Sequence, residues 1–492
     1  MLREELLARL DAEGDPWDVI VVGGGATGLG CAVDAATRGY RTVLFERGDF
    51  AQGTSSRSTK LIHGGVRYLR QGNVRLVLEA LRERGRLLKN APGIVQPLPF
   101  IIPTRSLLEK IWYGAGLFLY SLLAGRLRIQ WPAVLGKKAA VQRLPTLALR
   151  NCNGGVQYWD GQFDDAALAI ALARTSVAHG GLPINYCEVT NLLKDEAGRV
   201  IGVQVRDSLD GGEREVRGKV VINATGVWAD ALRREDNRGS KPMISPSKGS
   251  HIVLPNKYLP GEAALLVPET PDGRVVFAVP WQGRVIVGTT DIAMEEAPRE
   301  LRPTEDEVDY IIETAKPYLG GIDKSDILSV FSGLRPLVSG GADEESSAIS
   351  RDHTILTSNS GLVTVTGGKW TTYRHMAEEV IDEVGKSEAL MPRSCRTGSL
   401  ELVSADRKAE TGSYSEVLPL RRGDVEVAVR ESMAVKLEDV LSRRSRCLVL
   451  DAEETVRIAP DVAKDMARVL GKSEEWGVSE VAEFEQLVRD YF

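Results

Sequence analysis

The sequence contains no apolar run of 18 or more residues, few cysteines and no excess of positive charge. A membrane-spanning helix needs about 18 or more apolar residues in succession, so no spanning helix is predicted. The formal net charge of -6 over 492 residues excludes a strongly basic nucleic-acid binder, because that class relies on Lys and Arg to neutralise phosphates. The N-terminal segment 1–18 carries acidic residues and no apolar h-region, so no secretory signal is predicted.

The cysteines and the motifs for nucleophilic catalysis are equally sparse. The five cysteines are odd in number, widely scattered and without CxxC or Cys/His ligand spacing: Cys31, Cys152, Cys187, Cys395 and Cys447. This usage favours a reducing, cytoplasmic compartment, and no metal site is predicted. The GxSxG motif, which carries the nucleophilic serine of many Ser/His/Asp hydrolases, is also absent, so this class of enzyme is not predicted.

The composition, with 43% hydrophobic and 26% charged residues, is that of a globular protein. Its length predicts about two or three domains. Residues 17–46 predict a strand over Trp17–Val22, a tight turn, a helix from about Ala26 to Arg38, and a second strand over Arg41–Phe45. This order of elements is typical of a dinucleotide-binding unit.

The turn between the first strand and the helix carries a GxGxxG pattern, at Gly23, Gly25 and Gly28. These glycines permit the tight turn, the approach of a pyrophosphate and close helix packing. Ala26 and Thr27 open the helix, whose N–H groups and positive dipole end suit a diphosphate. Glu46 follows the second strand, where a carboxylate would accept hydrogen bonds from the adenosine ribose. The pattern predicts dinucleotide binding but does not separate FAD from NAD.

Two later strands end in small residues that let a backbone pass close to a cofactor. The first runs into Ala224, Thr225 and Gly226, and the second into the pair Gly367 and Gly368, followed by a helix. Three such junctions exceed what an adenine dinucleotide alone requires and favour a flavin. Each could also be an ordinary strand end of an α/β sheet.

With these segments the chain resembles the FAD-dependent glycerol-3-phosphate dehydrogenases of the respiratory, quinone-linked type, over nearly its whole length. The motifs that carry the resemblance are VVGGGATGLGCAVDAATRG, TSSRSTKLIHGGVRYL, INATGVWAD, SKGSHIVLP, PWQGRVIVGTTD, SGLRPL, ISRDH, TGGKWTTYR and KLEDVLSRRSR. The resemblance implies a mixed α/β and α+β fold: a Rossmann-like FAD-binding domain of the DAO/glutathione-reductase type, an antiparallel-sheet substrate domain and a helical C-terminal cap. The implied reaction oxidises sn-glycerol 3-phosphate to dihydroxyacetone phosphate and passes electrons through FAD to a quinone.

The segment 54–68, a few residues after Glu46, combines hydroxyl groups with Lys60, the glycine pair Gly64 and Gly65, and Arg67. We expect its near end to serve FAD, through Thr54, Ser55, Ser58, Lys60, Ile62, Gly64 and Gly65. The glycine pair would let the backbone pass the flavin closely. Arg67, just beyond, is predicted to face the substrate phosphate. Gly368, Lys369 and Thr371 are predicted to complete the cofactor contacts.

A phosphorylated substrate requires cationic donors, and arginine forks suit phosphate oxygens. Arg335, Arg351 and Lys369 lie within a short stretch before the last helix. The resemblance implies that they bind the phosphate and the substrate oxygens, with Thr372 nearby. A neutral histidine is the usual base at physiological pH, and a nearby cation favours the developing alkoxide. We predict His251 as the base or oxygen ligand and His63 as the second candidate, with Arg335 as the assisting cation.

The remaining sequence divides into predicted domains. Residues 1–389 form the oxidoreductase region: the FAD-binding domain covers mainly 15–90, 150–235 and 330–389, and the substrate sheet mainly 91–149 and 240–330. A β-meander is predicted over 183–218, a hairpin around 281–283, and a capping box at Thr304 and Glu307. Residues 390–420 are predicted to be a linker and 421–492 a helical cap.

The most apolar stretch, residues 111–125, is flanked by Arg105, Lys110, Arg126 and Arg128. Such a helix either lies in a membrane interface or is a buried core helix. The first interpretation predicts a peripheral protein on the cytoplasmic face of the inner membrane, where a quinone could be reduced. The oligomeric state, monomer or homodimer, is left open.

Three other functions stay open. A glycerol-3-phosphate oxidase would pass the electrons to oxygen and release hydrogen peroxide. An amino-acid oxidase of the same fold would need a ligand for an α-amino group, whereas the Arg and Lys set suits a phosphate better. A non-catalytic flavin-binding module would keep its flavin oxidised when substrate is added.

Overall fold

A computed structural model of the chain describes all residues except 1, 15, 67, 68, 70, 71, 150, 151, 268–274, 339–352, 387–389 and 405–411. The helices, in chain order, are α1 (Arg3–Glu13), α2 (Ala26–Thr37), α3 (Val74–Asn90), α4 (Leu107–Leu123), α5 (Lys137–Arg143), α6 (Asp165–Ala178), α7 (Ala229–Asp236), α8 (Glu305–Leu319), α9 (Tyr373–Val384), α10 (Arg422–Ser432), α11 (Cys447–Leu450), α12 (Ala452–Leu470) and α13 (Glu474–Val488). A six-residue π-helical turn, Asp439–Arg444, precedes α11.

The strands, in the same order, are β1 (Trp17–Val22), β2 (Thr42–Phe45), β3 (Leu61–Ile62), β4 (Val95–Thr104), β5 (Ala133–Gly136), β6 (Gly154–Phe163), β7 (Leu182–Ile184), β8 (Cys187–Lys194), β9 (Val200–Asp207), β10 (Glu213–Asn223), β11 (Ile244–Pro255), β12 (Ala264–Val267), β13 (Val276–Trp281), β14 (Arg284–Gly288), β15 (Ile292–Ala293), β16 (Ser329–Val338), β17 (His353–Thr357) and β18 (Val363–Gly367).

The first sheet contains the nucleotide unit predicted from residues 17–46. Its order is β17-β18-β10-β1-β2-β7, and the pairs from β18 to β7 are parallel. The inner strand β1 is apolar because both faces are covered, and its residues Val19–Val21 are fully buried. The predicted meander is confirmed, since β8, β9 and the first half of β10 pair antiparallel at the side of this sheet.

The second sheet is mainly antiparallel and follows the order β15-β11-β14-β13-β12-β4-β6-β3, with β16 on β11 and β5 on β6. The predicted hairpin is confirmed, and its turn is Gln282-Gly283, where φ is positive at both residues. The capping box that Thr304 and Glu307 predict at the start of α8 is also present.

The sheets divide the chain differently from the ranges predicted for the two domains. Strands β3, β6 and β16 fall in ranges assigned to the FAD-binding domain, yet all three belong to the second sheet. The reason is pairing between distant segments: β16 joins β11 over ten residue pairs, from Ile244↔Val338 to Val253↔Ser329. Local sequence pattern reports a strand but not its neighbour in the sheet.

The C-terminal region is helical, as predicted, and has its own apolar core. Residues of α10, α11, α12 and α13 form one cluster of buried side chains, which also includes Trp281 and Phe331 of the second sheet. The cap is thereby packed against β13 and β16. The predicted linker contacts the rest of the protein where it is described: Leu402 N donates a hydrogen bond to the carbonyl oxygen of Asn90, the last residue of α3, at 2.7 Å.

Helix α4 contains most of the apolar stretch predicted to lie either in a membrane interface or in the core. Its buried residues are Lys110, Leu117, Tyr120 and Ser121, whereas seven large apolar residues are exposed: Leu107, Leu108, Ile111, Trp112, Phe118, Leu119 and Leu122. The helix is therefore not a buried core helix. Within the described ranges, no helix is long and apolar enough to cross a bilayer.

Candidate active site

A cleft of about 490 Å³ opens at the carboxyl ends of β1, β10 and β18. Because these parallel strands are neighbours, the three glycine-rich junctions predicted from the sequence meet at one edge of the sheet. The cleft is lined by Gly23, Gly25, Ala26 and Thr27 from the first junction, by Ala224, Thr225 and Gly226 from the second, and by Gly367, Gly368 and Lys369 from the third.

The glycines of the first junction are required by close backbone contacts. Gly23 has φ of 110°, and a Cβ there would lie 2.6 Å from the carbonyl oxygen of Ala224. A Cβ on Gly28 would lie 1.9 Å from the carbonyl oxygen of Gly23. Gly28 is not a described lining residue of the cleft, so it acts by letting α2 approach the strand. The N-terminus of α2 then opens into the cleft, where its dipole and N–H groups attract a diphosphate.

Glu46 directly follows β2 and lines the cleft. Its carboxylate already accepts hydrogen bonds from Gly24 N at 2.6 Å and from Gly48 N at 2.9 Å. Burial raises the pKa of Glu46, although these two N–H groups oppose the shift. A carboxylate offers about four acceptor sites, so hydroxyl groups of a ribose can still bind to it.

The loop after Glu46 contributes only its first residues to the cleft. Thr54 and Ser55 line it, and Ser55 Oγ accepts a hydrogen bond from Ala26 N at 2.9 Å. Thr54 Oγ1 donates to Leu334 O at 2.6 Å, which fastens the loop to β16. Trp370 Nε1 donates to Ser55 O at 2.9 Å from the third junction. Thr54 and Ser55 thus lie between the two sheets.

The later residues of this loop lie elsewhere than the sequence predicts. Ser58 donates from N and Oγ to Asp165, and Lys60 Nζ donates to Asp165 Oδ2 at 2.7 Å. Ile62 pairs with β6, and Gly64 N donates to Tyr120 OH at 2.8 Å. None of these four lines the described part of the cleft. Their hydroxyl, cation and N–H groups are bound by distant parts of the chain, which the local sequence does not reveal.

Lys60 is the clearest of these differences. Its side chain is fully buried, and burial lowers the pKa of Lys60 to about 8, while Asp165 opposes the shift. Its ammonium group lies 5.1 Å from the ring centroid of Phe331. A cation held this way supplies fixed positive charge beside the second sheet rather than a hydrogen bond to a pyrophosphate.

His251, the predicted base, lies on β11 and is 3% exposed. Its Nε2 is 2.9 Å from Thr59 Oγ1, and its ring stacks on Phe331 with centroids 4.6 Å apart. Gly288 leaves room for this ring, because a Cβ there would lie 2.5 Å from His251 Cδ2. Burial, with Lys60 and Arg335 nearby, holds the pKa of His251 well below its ordinary value. The imidazole is therefore neutral at physiological pH.

Arg335 lies on β16 beside His251, in a cage of hydroxyl, carbonyl and carboxylate oxygens. It donates to Thr289 Oγ1 at 2.9 Å, to Thr290 O at 3.0 Å and to Asp291 Oδ1 at 3.2 Å. The neighbouring Pro336 lines the cleft, so this strand borders the cofactor site. Several guanidinium N–H groups of Arg335 are therefore already hydrogen-bonded within the protein. The sequence predicts instead that Arg335 binds the substrate.

Of the other residues predicted to form the site, two lie outside the described ranges and the rest are placed by the structure. Arg67 and Arg351, both predicted to bind the phosphate, lie outside the described residues. His63 and Thr371 are near each other, since His63 N and Thr371 Oγ1 are 3.3 Å apart. Thr372 is buried and donates to Lys369 O at 3.3 Å, and Gly65 has φ of 76°.

Several lining residues were not predicted from the sequence: Arg47, Gln52, Trp228, Arg299, Glu300 and Trp370. Trp228 and Trp370 stand within the motifs INATGVWAD and TGGKWTTYR, which is the signal that could have identified them. The guanidinium of Arg47 stacks over Trp228 at 4.2 Å from the ring centroid. Arg299 lies far from the glycine junctions in sequence, and no local pattern marks it.

Residues 18–374 match the family described as FAD dependent oxidoreductase. Residues 395–476 match the C-terminal domain of alpha-glycerophosphate oxidase. The chain belongs to the FAD-dependent oxidoreductase family, and FAD is its cofactor.

Similar proteins of known name indicate to which group within this family the chain belongs. The mitochondrial glycerol-3-phosphate dehydrogenase SDP6 of Arabidopsis thaliana is 44% identical over 80% of this chain and 64% of that protein. The mitochondrial glycerol-3-phosphate dehydrogenase of Rattus norvegicus is 37% identical over 93% of this chain and 71% of that protein. The crystal structure of the glycerol-3-phosphate dehydrogenase from Bacillus halodurans complexed with FAD superposes with a TM-score of 0.78, at 26% identity over 99% of this chain and 97% of that one.

Within this larger family, the chain therefore belongs to the family of FAD-dependent glycerol-3-phosphate dehydrogenases. It spans a little under two thirds of the Arabidopsis relative's length and a little over two thirds of the rat relative's.

The residues present fit FAD. The close approach of Gly23 to Ala224 leaves backbone, without side chains, at the point where a pyrophosphate meets the helix α2. Glu46 directly follows β2 and lines the cleft, where its carboxylate can accept hydrogen bonds from ribose hydroxyls, and Gly368 has φ of 73° at the third junction. Lys369, also at this junction, brings a positive charge to the wall of the cleft.

Proposed function

We propose that the protein oxidises sn-glycerol 3-phosphate to dihydroxyacetone phosphate. The observation that carries this proposal is the position of neutral His251, which lies 2.9 Å from Thr59 in the loop whose first residues line the cleft, with the cations Arg335 and Lys60 nearby. A neutral imidazole beside two cations suits removal of a proton from an alcohol, because the cations favour the alkoxide that develops. The relatives, which are glycerol-3-phosphate dehydrogenases by name, supply the substrate class.

In the proposed reaction His251 accepts the proton of the C2 hydroxyl as the hydride leaves C2. When bound, FAD supplies the acceptor of that hydride. Phe331 and Thr59 hold the imidazole in place, and Arg335 acts through its charge, since Thr289, Thr290 and Asp291 fix its guanidinium. Burial of His251 excludes water from the proton transfer.

We assign the substrate phosphate to Arg67, Arg351 and Lys369, with Thr372 as a supporting hydroxyl. This assignment rests on the sequence motifs and on the position of Lys369 in the cleft wall. Arginine forks bind phosphate oxygens in pairs, and a lysine adds a point charge. His63, next to Thr371, is the alternative base.

The flavin absorbance of the purified holoprotein tests this function. Anaerobic mixing with glycerol 3-phosphate should bleach the oxidised flavin band. Bleaching by an amino acid instead would assign a different substrate class, and an unchanged band with both would indicate a non-catalytic flavin module. Admitting oxygen or a quinone analogue to the reduced protein then distinguishes an oxidase from a dehydrogenase.

We further propose that the electron acceptor is a quinone and that the protein binds the membrane surface through α4. Seven exposed apolar side chains on this helix support the proposal, together with the exposed Arg105 and Arg126 at its two ends. Apolar residues would enter the acyl region while the arginines face anionic head groups. The free thiols of all five cysteines suit the cytoplasmic face, where thiols stay reduced.

A further inference from the structure

The C-terminal cap contains three closely spaced arginines whose side chains bind residues of the cofactor-binding domain. Arg443 and Arg444 belong to the π-helical turn, and Arg446 follows it in a left-handed conformation with φ of 65°. Arg443 and Arg446 are almost fully buried, at 3% and 1% exposure. Burying such groups is costly unless each guanidinium is paired, so their partners are informative.

The first contact is with Asp49, which has no exposed surface. Arg444 binds its carboxylate with two donors, one of them at 2.8 Å to Oδ1, and Arg443 Nε binds Oδ2. Burial would raise the pKa of Asp49, but these arginines hold it at about 2, so the carboxylate is ionised. Asn185 Nδ2 adds a hydrogen bond to Oδ1 at 3.2 Å.

Asp49 belongs to the stretch 46–53, and most of that stretch lines the FAD cleft. Glu46, Arg47, Gly48 and Gln52 are lining residues on either side of it. Asp49 thus lies behind the wall of the cleft and fastens that wall to the cap.

The second contact reaches the loop at residues 54–60. Arg446 Nη2 donates to Ser56 O at 2.7 Å and lies 3.2 Å from Asp165 Oδ1. Lys60 Nζ donates to the same carbonyl oxygen at 2.8 Å and to the other carboxylate oxygen of Asp165, Oδ2, at 2.7 Å. Ser56 directly follows Thr54 and Ser55, the residues of this loop that line the cleft.

We propose that Arg444 and Arg446 are positioning residues for FAD: the cap fixes both loops that form one side of the cofactor cleft. Each arginine acts on a different loop, Arg444 through Asp49 and Arg446 through Ser56. A loop held in its bound conformation before the cofactor arrives costs less ordering free energy on binding. Release of either contact therefore weakens FAD binding without removing a group that touches FAD.

Reciprocity follows from the same coupling. If the cap strengthens FAD binding, FAD must strengthen the docking of the cap by the same factor. This inference rests on FAD binding alone and not on the proposed substrate.

The test compares Arg444→Met and Arg446→Met with Val462→Ala. Val462 is fully buried in the apolar cluster of the cap, so its truncation destabilises the cap, and that cluster includes no residue of either cleft loop. The holoprotein is diluted, and the release of FAD is followed by the recovery of flavin fluorescence. Melting temperature is measured for each variant in parallel. Both arginine variants should bind FAD at least tenfold more weakly, whereas Val462→Ala should change FAD binding less than twofold at a comparable fall in melting temperature.

An unchanged FAD dissociation constant in both arginine variants overturns the proposal. It is equally overturned when Val462→Ala weakens FAD binding as much as they do, since the arginines would then act only through global stability. If the methionine variants do not fold, Arg444→Lys and Arg446→Lys carry the test, because they keep the charge and lose the two-donor geometry. These should release FAD at least threefold faster than the unmodified protein, and equal rates refute the inference. A failure of the proposed reaction would show instead as tightly bound flavin that glycerol 3-phosphate does not reduce.

Discussion

The exposed face of α4 allows a quantitative prediction for membrane binding. Leu108 and Trp112 are 78% and 70% exposed, the two largest exposures on the helix. Full burial of one such side chain contributes about 1.5–3 kcal/mol. Scaled by these exposures, insertion of the pair contributes roughly 3 kcal/mol. The double variant Leu108→Ser/Trp112→Ser should therefore lose a little over a hundredfold in membrane partitioning, at about tenfold for each 1.4 kcal/mol.

Co-sedimentation with vesicles that contain anionic lipid measures this partitioning directly. The matched control is Val417→Ser/Val478→Ser, which removes two exposed apolar residues from the C-terminal region, at 56% and 72% exposure. Circular dichroism and flavin content verify that each variant is folded. We expect the control to bind vesicles like the unmodified protein, because its substitutions lie outside α4.

Two results would refute the reasoning. The α4 variant could partition like the unmodified protein, which would mean that this face does not enter the bilayer. Alternatively, the control could lose binding to the same extent, which would mean that total exposed apolar area, rather than one helix, governs the association. High salt should weaken binding only in part, since the apolar contribution is not screened.

Four further predictions concern the candidate active site. His251→Ala should lower kcat by roughly 10²–10⁴-fold with FAD retained, as expected for loss of a general base, and an unchanged kcat would exclude that role. Because the pKa of His251 lies below its ordinary value, kcat should stay level as the pH falls from about 8 to about 6 and decline only at lower pH. Arg67→Ala should raise KM for glycerol 3-phosphate with FAD still bound, whereas lost FAD would assign its segment to the cofactor. Gly28→Ala should yield colourless protein, since a Cβ there lies 1.9 Å from a carbonyl oxygen.

The features that could be predicted from the sequence are those set by short-range physics. The nucleotide unit follows from an apolar strand, three spaced glycines and a helix rich in small apolar residues, all within residues 17–46. The hairpin turn at Gln282-Gly283 and the capping box of Thr304 with Glu307 involve residues a few positions apart. Backbone sterics and hydrogen bonds within such windows depend little on the rest of the chain.

The predictions for the loop after Glu46 differ from the structure because the partners of its polar groups lie far away. Lys60 carries a positive charge that suits a pyrophosphate, but Asp165, 105 positions later in the chain, binds its ammonium group in the protein interior. Gly64 donates to Tyr120 in the same way. A local pattern identifies groups that can bind an anion, whereas burial decides which of them still face the cleft.

The sequence by itself determined the cofactor class, the family and the existence of an apolar helix near residue 115. Tertiary structure decided which face of that helix stays exposed, which strands join each sheet and why His251 is neutral. It also brought Arg444 to Asp49, 395 positions apart. The physical reason is that the first group depends on contacts between near neighbours in the chain, while the second depends on desolvation and charge pairing between segments that meet only in the folded protein.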